Sequence, residues 1–171
     1  MKGETPRSMH LYLLRHGVAE EARPGIVDAD RALTSDGRKK LRHVLQTIED
    51  ARVKPNLIFS SHLKRSLQTA DIAKDVLAYD GEIIKTKALA PAASPEQIWE
   101  EVRIHKNEPS LLLVGHNPLF DSLAAFLLGT PNLKIDFKKG AIMRIDLESF
   151  GAQPRGILCW YLTAKLSANR E

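Results

Sequence analysis

The chain has 171 residues, 43% apolar and 27% charged, with 25 Lys and Arg against 21 Asp and Glu, which leaves a net charge of +4. A chain of this length buries roughly 70% of the surface it exposes unfolded, so it needs no disulfide framework or structural metal to fold, and its single cysteine, Cys159, excludes an internal disulfide. The basic residues are scattered, clustering chiefly at Arg38-Lys39-Lys40 and Lys138-Lys139, a pattern that suits a small anionic ligand better than a nucleic-acid surface.

Residues 1–8 hold no apolar run, and no later run reaches the length of a membrane span, so the chain reads as cytoplasmic with no membrane partner. Leu11-Tyr12-Leu13-Leu14 is a short continuous apolar run, the pattern of a strand buried on both faces of a parallel sheet. Behind Thr34, a good N-cap, Leu41, Val44, Leu45 and Ile48 follow helical spacing. A second strand is predicted at Leu57-Ile58-Phe59, a helix over 63–77, and a weaker strand over 82–86. Ser94-Pro95-Glu96-Gln97 combines a capping box with proline at the first helical position, which starts a helix carrying Ile98 and Val102 inward. Leu111-Leu112-Leu113-Val114 is the next buried strand. The segment from Pro118 to Gly129 is apolar almost all round and should be the most buried helix.

Beyond it the period changes to two. Ala141, Met143, Ile145 and Leu147 alternate with mostly polar partners, and Ile157 to Leu162 is a further apolar run, together a hairpin with one half exposed. Strand-helix alternation with such an edge predicts a three-layer α/β/α sandwich around a mostly parallel sheet. We expect one domain over residues 9–164, between short tails at 1–8 and 165–171. No spare apolar face stands out, which points to a monomer.

Open parallel sheets bind ligands beyond the carboxyl ends of their strands. Here those ends read Arg15-His16-Gly17, Ser60-Ser61-His62-Leu63-Lys64-Arg65 and Gly115-His116-Asn117-Pro118, so two arginines and at least two histidines should surround one crevice. Guanidinium forks match phosphate oxygens, and the helices that begin nearby add backbone N–H groups. A neutral imidazole, His16, can attack phosphorus, while His116, when protonated, can hold the equatorial oxygens. This arrangement requires no metal and no cofactor.

These three motifs, with Gln68-Thr69-Ala70 after Arg65 and Asp30-Arg31-Ala32-Leu33-Thr34 ahead of Gly37-Arg38, resemble the histidine phosphatase superfamily, also called phosphoglycerate mutase-like. The small size and the C-terminal hairpin are similar to the SixA-type phosphohistidine phosphatases. The resemblance implies a phosphatase that carries phosphate transiently on His16. It also implies a phosphate pocket completed by Arg15, Gly17, Arg65, His116 and Asn117, and a phosphohistidine-bearing protein as substrate.

Two departures matter. Many members of the family carry an acidic proton donor after the third strand, but here the stretch reads Leu89-Ala90-Pro91-Ala92-Ala93. An alkoxide leaving group needs that proton, whereas an imidazole leaving nitrogen has a pKa near about 6.5 and takes one from solvent. The gap favours cleavage of P–N bonds, unless Asp121, Glu20 or His62 supplies the acid. His62 replaces the family's usual proline and either enters the pocket or simply begins the helix. The alternatives are a small-molecule phosphomonoesterase of the same superfamily, or a module that binds phosphate without turnover. The segment from Glu20 to Asp30 is a candidate lid. Cys159, between Leu158 and Trp160, reads as a buried inert thiol, and Trp99 and Trp160 as packing residues. His10, His43 and His105 are assigned no chemistry.

Overall fold

The computed structural model describes residues 8–168; the expected tails fall on residues 1–7 and 169–171, outside the described residues, except at their inner ends. Six strands form one sheet: β1 (Met9–Arg15), β2 (Leu57–Ser60), β3 (Ile83–Lys85), β4 (Ser110–Gly115), β5 (Ile142–Leu147) and β6 (Ile157–Leu162), in the order β3-β2-β4-β1-β5-β6. The first four pair in parallel, and β5 runs antiparallel to both β1 and β6. This is the mostly parallel α/β architecture expected, edged by the antiparallel hairpin.

Alternation along each strand sends neighbouring side chains to opposite faces. Leu11 and Leu13 of β1 pack with Leu111 and Leu113 under α3 (Pro95–Ile104) and α4 (Leu119–Leu127), whereas Tyr12 and Leu14 join Ile58, Leu112 and Val114 under α1 (Ser35–Asp50) and α2 (Lys64–Val76). The N-caps fall where the sequence places them: the Thr34 side chain accepts from the Gly37 N–H, and Ser94 with Gln97 forms a complete capping box. Helix α4 buries six of its nine residues, the largest share of the four long helices. Gly37 is required because its α-carbon lies against Val18; a Cβ there would stand 2.2 Å from the Val18 carbonyl oxygen.

Two expectations at the C-terminus are corrected. Cys159 is exposed, not buried, because β6 is the outermost strand and shares its exposure with Ile157 (58%) and Leu158 (46%). The edge therefore does present a small apolar face, which removes the ground on which a monomer was expected. The Cys159 thiol is nonetheless pushed up in pKa, first by desolvation and then by Asp146, so it is not an activated thiolate. Residues 164–167, placed mostly in the tail by the sequence, form a short α5 that packs on α1 and buries Ser167. Trp99 is buried and Trp160 packs against the α1–α2 core, as expected. Among the described residues no helix is long and apolar enough to cross a membrane.

Candidate active site

Parallel pairing brings three strand ends side by side. Arg15 is in register with Gly115, and Ser60 with Val114, so the residues that follow each strand emerge along one edge of the sheet. Connections from the two central strands leave to opposite faces, which opens a crevice between β1 and β4 at that edge. His16 and His116 meet there with ring centroids 4.9 Å apart, both nearly fully buried.

The backbone fixes His16 from both sides: its N–H donates to the Gly115 carbonyl (3.0 Å), and the Gly140 N–H donates to its carbonyl (3.0 Å). His16 Nδ1 lies 2.7 Å from the Gly17 carbonyl oxygen. A carbonyl only accepts, so Nδ1 carries the proton and Nε2 carries the free lone pair. Gly17 is needed beside it, because a Cβ would stand 2.5 Å from the Leu41 side chain. Its N–H in turn donates to Thr69 Oγ1 (3.2 Å), which ties β1 to the Gln68-Thr69-Ala70 stretch on α2.

Burial, above all, lowers the His16 pKa to about 4; the Gly17 carbonyl opposes this, and Arg65, Arg15 and Lys139 reinforce it. Burial likewise takes His116 down to about 3, helped by His16 and the arginines. Both imidazoles are therefore neutral near pH 7. For His16 that is the nucleophilic form. For His116 it means that the protonated form expected from the sequence requires an anion nearby to raise its pKa. His116 Nε2 lies 2.8 Å from Ser61 Oγ, and that hydroxyl oxygen accepts from the Leu63 N–H at the start of α2.

Arg65, in the first turn of α2, is almost completely buried. Its Nη1 donates to the Asp28 carbonyl (2.9 Å) and its Nη2 to Asp28 Oδ2 (3.2 Å). Arg15 donates through Nη1 to the Phe137 carbonyl, which also takes a long bond from Asn117 Nδ2 (3.5 Å). Burial lowers the Arg15 pKa, opposed first by the charge of Asp121. Among the described residues, the buried side-chain nitrogens and oxygens without a hydrogen-bond partner are Arg15 Nε, Arg65 Nε, His116 Nδ1, Asn117 Oδ1 and Asp121 Oδ1. All five belong to this one region. A polyanion with several acceptor oxygens would complete three of the five, the two Nε–H donors and a protonated His116 Nδ1.

The structure thus brings together Arg15, His16, Gly17, Arg65, His116 and Asn117. It does not bring in His62, which is exposed, makes no polar contact among the described residues and simply precedes α2. Of the other acids considered, Glu20 Oε2 accepts from the Ala32 N–H, and Asp121 lies near Arg15. Sequence reasoning passed over Asp28, Ser61 and the Phe137 carbonyl. Asp28 stands three residues before Arg31, a spacing that signals an ion pair and could have drawn attention to it. No cluster of three or more His, Cys, Asp or Glu that could hold a metal occurs among the described residues.

Residues 11–91 match the histidine phosphatase superfamily (branch 1). An uncharacterized protein of Picosynechococcus sp. is 29% identical over 137 residues, 79% of this chain and 83% of its own. The protein histidine phosphatase SixA complexed with tungstate superposes with a TM-score of 0.81 at 22% identity, over 92% of this chain and 98% of that one. A putative phosphohistidine phosphatase SixA from Agrobacterium tumefaciens gives 0.77 at 25% identity, over 91% and 97%. A putative alpha-ribazole-5'-P phosphatase from Escherichia coli shares the fold at 0.68 and 19%, over 91% and 97%.

Proposed function

We propose that this chain, a phosphatase belonging to the histidine phosphatase superfamily, works through a phosphohistidine on His16 and removes phosphate from phosphohistidine on a protein. The observation that carries the first half is the 2.7 Å contact from His16 Nδ1 to the Gly17 carbonyl, which leaves Nε2 free in a neutral ring. In the first step Nε2 forms a bond to phosphorus as the bond to the leaving group breaks. Arg15, Arg65 and His116 stabilise the charge spread over the three phosphoryl oxygens. In the second step a water oxygen bonds to phosphorus, the P–Nε2 bond breaks, and inorganic phosphate leaves with His16 restored.

The preference for a phosphohistidine substrate rests on the missing acid. The 3-10 turn after β3 (Lys87–Leu89) and the residues up to Ala93 present no carboxylate, and Glu101, an acid bonded to the residue just before this turn, accepts from Thr86 Oγ1 at 2.6 Å. Losing a general acid slows ester cleavage by about 10²–10⁴-fold but scarcely affects an imidazole leaving group. The likeness to SixA structures supports the same reading.

One observation favours a second reading, a small-molecule phosphomonoesterase. Asp121 Oδ1 is buried without a hydrogen-bond partner and its carboxylate is close enough to Arg15 to shift it, so it is a candidate proton donor for an ester. Rapid quench with labelled phosphohistidine peptide and with nitrophenyl phosphate separates the two. We expect acid-labile label on His16, lost in His16→Ala, and at least 100-fold higher kcat/KM for the phosphohistidine. Label on another residue would refute the intermediate. Equal or better turnover of the ester, lost in Asp121→Asn, would establish the second reading.

A further inference from the structure

Among the described residues, Arg65 is held through its guanidinium by one residue alone. Its Nη1 and Nη2, the end-on pair, both go to Asp28, one to the carbonyl (2.9 Å) and one to Oδ2 (3.2 Å), while its buried Nε has no partner. Asp28 is itself clamped: Arg31 reaches its Oδ1 from Nε (2.9 Å) and Nη2 (2.8 Å), and Arg31 Nη1 is anchored on the Glu20 carbonyl (2.8 Å). The base of this loop is closed by the Ala19–Leu33 bridge and by the Glu20 N–H bond to Ala32 (2.8 Å). A relay of contacts therefore runs from the loop base through Arg31 and Asp28 to the arginine that faces the nucleophile.

We infer that Asp28 is a positioning residue for the phosphate site: it fixes Arg65 by the end-on pair and so presents the Nε–H edge to a phosphoryl oxygen. A guanidinium has two usable forks, the end-on pair and the side fork of Nε with one Nη. Occupying the first pins the rotation of the second. Without the Asp28 carboxylate, Nη1 keeps its bond to the backbone carbonyl but Nη2 is released, so the guanidinium pivots about a single contact and ordering it falls on the ligand. The Asp28 carboxylate stays ionised for this task, since the Arg31 hydrogen bonds, and the charge and bond of Arg65, hold its pKa below the usual range. Its side chain is 60% exposed, so truncating it removes no core packing.

The inference rests on the reading of this crevice as a phosphate site, and calorimetric titration with inorganic phosphate tests the two separately without requiring turnover. Wild type should bind phosphate, Asp28→Ala about tenfold more weakly, and Asp28→Asn, which keeps one side-chain oxygen but replaces the other with an NH2 donor and loses the charge, between the two. Arg31→Ala should lose about threefold, and the double variant Asp28→Ala with Arg31→Ala should lose no more than Asp28→Ala alone, because both act through one contact. Wild type that fails to bind phosphate would remove the site reading and the inference with it. Wild type that binds, with Asp28→Ala equal to it, would overturn the inference alone. Tighter binding by Asp28→Ala would also overturn it, and would make Asp28 a competitor of phosphate for Arg65. Additive losses in the double variant would break the relay from Arg31.

Discussion

Strand β1 carries a cluster of arginine, histidine and acid at each end, and the two clusters treat their charges in opposite ways. At its start, His10 faces Asp146 across the sheet, with Nδ1 2.9 Å from Oδ1, while Arg144 donates to both Asp146 oxygens at 2.8 and 2.9 Å. Desolvation raises the Asp146 pKa, yet the bonds from Arg144, His10 and Cys159 outweigh it and bring it to about 2. That cluster is half-exposed and saturated. At the other end, His16, Arg65 and His116 are buried and Arg15 half-buried, Arg65 alone makes an ion pair, to Asp28, and two Nε atoms and one Nδ1 are left without partners. Unspent bonding capacity in a buried site costs stability, so the fold carries it there for a ligand that would use it. The first cluster holds the hairpin to the sheet; the second has the free donors that the proposed phosphate site would use.

If that contrast is right, Arg65→Met should have the largest effect and should separate activity from stability. Removing a donor that stabilises developing charge typically costs about 10²–10³-fold in kcat. Replacing a buried charge with an apolar side chain of similar length is often neutral or stabilising. We therefore expect kcat/KM to fall by about 10³-fold while the melting temperature stays level or rises. A large drop in melting temperature would show that Arg65 serves the fold, as Arg144 does, and would erase the distinction.

The pH dependence sharpens it further. His16 has a folded pKa of about 4, and His116 of about 3, below the ordinary histidine value of 6.5. Below pH 6.5 the unfolded chain binds protons that the folded site refuses. These two residues thus contribute stability that is present above 6.5 and lost as pH falls through the folded values. Asp146, at about 2 against an ordinary value of 3.8, contributes stability that is lost only as pH falls from 3.8 towards 2. Denaturant titrations should show two acid losses in that order, the first diminished in His16→Ala. The acid limb of kcat/KM, which reports the free enzyme, should lie near the His16 value rather than near 6.5. An acid limb at 6.5 would mean that burial does not hold the imidazole neutral.

How much of this is legible in the sequence depends on whether the signal is local. The runs at 11–14, 57–59 and 111–114, the caps at Thr34 and Ser94, and the residues directly after three strands are local signals, and the structure places them accordingly. Sheet position is not local. The run Ile157 to Leu162 reads as one arm of a half-exposed hairpin, but composition does not say which of its residues are open: Ile157, Leu158 and Cys159 are exposed because β6 has a neighbour on one side only, while Trp160 and Leu162 pack on the core. The same holds for Asp28 and Arg65, which are 37 residues apart and joined through a loop that has no periodicity. The Phe137 carbonyl, which anchors Arg15, is a backbone atom 122 residues away with no side-chain signature at all.

The smallest effect should come from the saturated end. In Arg144→Met, Asp146 loses two charge-assisted bonds but keeps His10, and both Arg144 and Asp146 are partly open to solvent, at 26% and 23% of their side chains. Solvent screening limits the loss, so we expect a destabilisation of about 1 kcal/mol. The Asp146 pKa should move back up towards its ordinary value, because the Arg144 hydrogen bonds, the largest influence lowering it, are gone. Activity should be unchanged, since Arg144 pairs with Tyr12 in mid-strand and touches neither imidazole of the crevice. A fall in kcat/KM without a matching fall in phosphate affinity would show that the two ends of β1 are coupled through the strand, and the separation drawn between them would then fail.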